Sequence, residues 1–97
     1  MEINMDELIL DINRSKKAEI GIYLFDGIGL TCKSQIYDNI KVDKEQDGSL
    51  YLEACELGYL INEDYEICRT VEASADKPAQ YEIRRDELLC VTLFLSF

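Results

Sequence analysis

Met5, Leu8, Ile9 and Ile12 recur at the spacing that lines one face of an α-helix. Asn4, just before them, is suited to cap that helix, and Glu7 three positions on is placed to return a hydrogen bond. Ile3 and Leu8 stand at the two positions of a hydrophobic staple, and Lys16 and Lys17 follow where positive charge favours a helix C-terminus. The pattern predicts a helix over residues 5–14.

From Ala18 the period becomes two. Ile20, Ile22 and Leu24 share one face of a strand, with Glu19, Tyr23 and Phe25 on the other. Asp26-Gly27 is a type I′ hairpin signal, because both central residues of that turn need positive φ. A second strand is expected over about 28–33, with Gly29 marking a bulge or a close backbone approach. Asp38-Asn39 signals a turn beside a short strand near 39–43. Gln46-Asp47-Gly48 signals another before the alternating segment Leu50–Ala54.

Tyr65 to Val71 alternates, with Tyr65, Ile67 and Val71 on one face. Residues 73–79, which include the single proline Pro78, form a loop, and Tyr81 and Ile83 begin a further strand. Leu89, Val91, Leu93 and Leu95 line one face of the last strand, with Cys90, Thr92 and Phe94 opposite. With both faces largely apolar, that strand is central in its sheet or is an edge buried by a partner. The expected architecture is a single α+β domain over 1–97, with one N-terminal helix packed on an antiparallel sheet of five or six strands. One helix covers such a sheet incompletely, which leaves Tyr23, Phe25 and Phe94 as candidates for an interface.

Composition fits this picture: 47% hydrophobic and 31% charged residues in 97 suit one folded domain. Charge narrows the function. Twenty acids against ten bases give a formal charge of −10, so nucleic acid and anionic membrane surfaces are repelled, and a basic protein surface is the natural complement. Acids for solubility alone are the simpler alternative. The acidic N-terminus does not read as a secretory signal, and the apolar run Leu88–Phe97 is far short of the ~20 residues that span a bilayer. The expected location is the cytoplasm of a bacterial host.

Chemistry is easier to exclude than to assign. The chain has no histidine, so neither a Ser-His-Asp nor a Cys-His arrangement can be assembled. Cys32, Cys55, Cys68 and Cys90 occur singly, without the paired spacing of a zinc site, and read as small apolar side chains. Asp43, Glu45, Asp47, Gly48 and Leu50 imitate the start of an EF-hand loop, but Ala54 stands where a bidentate glutamate belongs. A hairpin turn with solvated acids explains the same residues. Neither an enzyme nor a metal or cofactor site is expected.

The acids are unevenly distributed. Between Glu45 and Cys68 stand Glu45, Asp47, Glu53, Glu56, Glu63, Asp64 and Glu66, with no lysine or arginine among them. Tyr51, Tyr59 and Tyr65 are interleaved, a residue type suited to anchoring interfaces. Such a surface could imitate a phosphate array and dock into a basic groove; the alternative is a solvated sheet face whose tyrosines are partly core. The candidate partner-binding residues are those seven acids together with Tyr59.

The small size, strong acidity and opening Met1–Ile9 helix followed by strands resemble the small anti-CRISPR proteins of phages and mobile elements. The resemblance covers the layout of about the first 45 residues and departs thereafter: the similar acidic group continues with helices, whereas Leu88–Phe97 here reads as a strand. It implies an inhibitor that occupies the site where a CRISPR effector nuclease would hold duplex DNA, with the acids from Glu45 to Glu66 as the mimicking surface. The alternative is a homo-oligomeric accessory protein, for example a homodimer, assembled through its apolar C-terminal strand.

Overall fold

The computed structural model describes residues 1–25, 30–38, 40–54 and 57–97, with side chains described except at positions 24, 25, 30–34 and 57. Among the described residues, one helix and nine strands build an α+β fold. In chain order they are β1 (Glu2–Ile3), α1 (Met5–Arg14), β2 (Lys17–Phe25), β3 (Leu30–Tyr37), β4 (Lys41–Lys44), β5 (Leu50–Ala54), β6 (Leu57–Ile61), β7 (Glu66–Val71), β8 (Ala79–Arg85) and β9 (Leu88–Ser96).

The helix forms where the sequence places it. Asn4 is extended at φ −91°, and its side-chain oxygen accepts from the Glu7 amide at 2.9 Å. Ile3 and Leu8, the staple pair, are both buried. The helix stops at Ser15, whose N–H donates to the Asp11 and Ile12 carbonyls while its hydroxyl donates to Ile12 O at 2.7 Å. These bonds satisfy carbonyls that a helix end otherwise leaves open.

The strands divide into two antiparallel sheets rather than the single sheet expected. Six of them run in the order β1-β7-β8-β9-β2-β3, and three in the order β4-β5-β6. The inner face of the larger sheet carries Ala18, Ile20, Ile67, Ala79, Tyr81, Ile83, Val91, Leu93 and Leu95. Leu8 and Ile12 of α1, and Leu50, Leu52, Ala54 and Ile61 of the smaller sheet, complete one buried cluster with them. The smaller sheet therefore covers the apolar area that one helix leaves bare. Each buried valine, leucine or isoleucine of this cluster contributes about 1.5–3 kcal/mol by leaving water.

β9 is central, hydrogen-bonded to β8 on one side and β2 on the other. Assembly through its backbone edge is thereby closed. Tyr23, Thr92 and Phe94 are half-buried on the outer face of the large sheet, where Thr92 lies over Gly21 so closely that a Cβ there would overlap its hydroxyl. Cys90 departs from the expected alternation. The register shift between Ile83 and Arg84 leaves an extra residue in β9, and Cys90 packs against the core instead of sharing the outer face with Thr92. The expected turn at Asp26-Gly27, the bulge at Gly29 and the Phe25 side chain lie outside the described residues.

Candidate acidic interface

Two separate segments meet at one end of the smaller sheet. Between β4 and β5, Gly48 N–H donates to Glu45 O at 3.1 Å and Glu45 N–H to Ser49 O at 2.7 Å. Gly48 sits at φ +90°, which closes the hairpin with a left-handed residue. Asp47 Oδ1 accepts from Ser49 N–H at 2.9 Å, and this bond holds its carboxyl below the usual carboxylate range. The EF-hand-like residues thus form a hairpin turn. Among the described residues, no group of three carboxylates or thiols could hold a metal ion.

The second segment joins β6 to β7. Tyr65 N–H donates to Asn62 O at 3.2 Å, turning the chain through Glu63 and Asp64, both exposed. Glu63 reaches back over the first turn, so that a Cβ at Gly48 would overlap its carboxylate. Glu45, Asp47, Glu63 and Asp64 are thereby gathered on one pole although they come from two loops.

The helix N-terminus extends this pole. Glu2, Met5, Glu7, Glu63, Tyr65 and Ile67 line one groove, and Asp6 Oδ1 receives Lys44 Nζ at 2.9 Å immediately before Glu45. The residues expected to bind do not include Glu2 and Glu7, because the acidic run begins at Glu45 and Glu7 reads only as a capping partner of Asn4. The staple that returns Ile3 and Leu8 to the core is what brings them alongside Glu63.

The remaining candidates are placed elsewhere. Glu53 is exposed on the outer face of the smaller sheet, in register with Lys41. Glu66 is in backbone register with Arg84 on the larger sheet, and the Arg84 guanidinium binds Glu82 at 2.9 Å. Tyr59 pairs with the buried Leu52 and packs against the core. Burial, then a hydrogen bond with Tyr65, pushes its hydroxyl pKa above the usual tyrosine value. The Arg85 guanidinium stands 5.7 Å over the Tyr65 ring, so Tyr59 and Tyr65 join the smaller sheet to the end of β8. Glu56 lies outside the described residues.

No family model, curated protein or solved structure matches this chain. No helix among the described residues is long and apolar enough to cross a membrane.

Proposed function

We propose that this chain is a non-catalytic binding protein whose acidic pole docks on a basic surface that otherwise holds nucleic acid, as an inhibitor of a nucleic-acid-binding effector such as a CRISPR nuclease. The observation that carries the reading is the convergence of the Glu45–Ser49 turn, the Glu63-Asp64 loop and the helix N-terminus. A chain of charge −10 concentrates carboxylates from three segments there, and the neighbouring base Lys44 is already paired with Asp6. Glu53, Glu66 and the inward Tyr59 are outside this surface, so the pole is narrower than the acidic run in the sequence. The protein itself does not bind nucleic acid, since its charge has the wrong sign.

The test is capture from a bacterial lysate on the immobilised protein, washed at low and high salt and identified by mass spectrometry, then an inhibition assay on what is recovered. The expected result is a basic nucleic-acid enzyme released by salt and inhibited in solution, because exposed charge pairs are screened. Replacing Glu45, Glu63 and Asp64 together by lysine is expected to abolish inhibition, whereas reversing Glu72 and Asp76 in the β7–β8 loop leaves it intact. Full inhibition by the triple variant would sink the proposal.

A further inference from the structure

We infer that β3 is a self-pairing edge, through which two copies of this chain join antiparallel into one continuous sheet. The four sheet edges are not equivalent. β1 has two residues; β4 lies beside α1, with Lys44 tied to Asp6; and β6 has five residues. β3 runs for eight residues paired to β2 along its whole length, and among the described residues no strand pairs with its other side. In an antiparallel pair, every second residue of β3 turns both its N–H and its C=O away from β2. That row is a template for another strand.

Open edges of this length are ordinarily blunted by proline, by several charges or by a bulge. β3 contains no proline and one charge, Lys33, and its register with β2 is continuous from Leu30 to Tyr37. Ile36 is 55% exposed beside this edge.

Charge selects the occupant. Residues 27–37 are the longest stretch of the chain without a carboxylate. A basic peptide strand would be drawn to the acidic pole and finds no carboxylate within β3 itself. A second copy carries the same charge of −10 and meets less repulsion here than over the pole, since β3 itself brings no carboxylate and only Glu19, in register with Ile36, and the following Asp38 stand near its described end. Antiparallel pairing of a strand with itself also satisfies the two-fold, isologous geometry of a closed dimer.

The experiment is sedimentation of the full chain from low micromolar to millimolar concentration at two ionic strengths, with amide exchange followed residue by residue. The expected result is a dimer that strengthens with salt, as repulsion between the acidic bodies is screened. This is opposite in sign to docking through the pole, so the two readings fail independently. Alternate β3 amides are expected to gain protection with concentration. Ile36→Asp, which adds a carboxylate to the edge in both copies and sets it across from Glu19, is expected to weaken the dimer at least tenfold while the dilute chain still unfolds in one cooperative transition. A monomer under every condition overturns the inference. So does a dimer that leaves β3 amides unprotected, or protection that appears only when a different polypeptide is added.

Discussion

Asp11 and Tyr81, seventy positions apart in the chain, are joined by a 2.6 Å hydrogen bond from the tyrosine hydroxyl to Oδ2 of the carboxylate. The same oxygen receives the Arg69 guanidinium at 2.5 Å, and that guanidinium stands 5.6 Å over the Tyr81 ring. Arg69 also bonds through its backbone to Met1: its N–H donates to Met1 O at 2.8 Å, and its C=O accepts from the terminal ammonium at 3.0 Å. A single helical carboxylate therefore fixes α1 against β7 and β8, and the same point of β7 anchors the start of the chain. Tyr81→Phe removes one bond to a charged acceptor and is expected to cost about 2 kcal/mol. Asp11→Ala leaves the Tyr81 hydroxyl and a partly buried guanidinium without their carboxylate and is expected to cost more, about 3 kcal/mol. Urea denaturation of both variants checks the order; equal losses would show that the Tyr81 hydroxyl carries the clamp alone.

The clamp also sets a response to alkaline pH. Burial, and then the bond to Asp11, push the Tyr81 hydroxyl up to about 12 from its ordinary 10.0. A raised folded-state value means that the native chain holds a proton which the unfolded chain releases. The contribution is complete below pH 10 and falls as pH rises from 10 toward 12. Tyr59 is shifted in the same direction and adds to the slope. Melting temperatures across this range are expected to fall less steeply in Tyr81→Phe than in the parent. Parallel profiles would rule out Tyr81 as the titrating group.

Local signals carried much of this fold in the sequence, and non-local ones did not. The helix is at Met5–Arg14 and β5 at Leu50–Ala54, as the periodicity places them, because cap, staple and alternation are written within a few residues. β6 was not anticipated: Gly58 has no side chain to pack, and the Tyr51 ring from the neighbouring strand lies across it and supplies the missing one. β1 is two residues held by β7, a pairing with no local signature. β3 extends to Tyr37, beyond the expected end, because Ile36 and Tyr37 pair with Glu19 and Ala18. At the candidate site, residue type was legible but not direction. Linear proximity put Tyr59 and Glu66 in one set with Glu63, while alternation turns Tyr59 inward and puts Glu66 on the other sheet.

The β8–β9 hairpin turns through Asp86 and Glu87 at φ 50° and 67°. Arg85 pairs with Leu88, so these are the two central residues, and both occupy the left-handed region a type I′ turn requires. Glutamate is a poor occupant, since its Cβ crowds the backbone there at a cost of about 1–2 kcal/mol. Replacing the pair by Asn-Gly is expected to raise stability by about 1 kcal/mol, less the larger backbone entropy that glycine loses on folding. A thermal melt measures this directly. A lower melting temperature would mean that the bond from Arg84 Nη1 to Glu87 O, 3.4 Å long, depends on the native pair.

Gly48 links stability to the acidic pole. At φ +90° a side chain is strained whatever space surrounds it, and here a Cβ would also displace the Glu63 carboxylate. Gly48→Ala is expected to lose about 1–3 kcal/mol from the backbone, with a smaller steric part because Glu63 is exposed and can swing aside. Shortening Glu63 to alanine in the same molecule removes the steric part and leaves the backbone part. The double variant should then be less destabilised than the sum of the two single ones, and the difference measures the contact. The same displacement moves a carboxylate off the pole, so Gly48→Ala is expected to weaken binding of a captured partner in folded protein. It should do so no more than Glu63→Gln, which keeps the shape and removes the charge. Unchanged binding in both would place Glu63 outside the contact surface and leave Glu45, Asp47 and Asp64 to carry it.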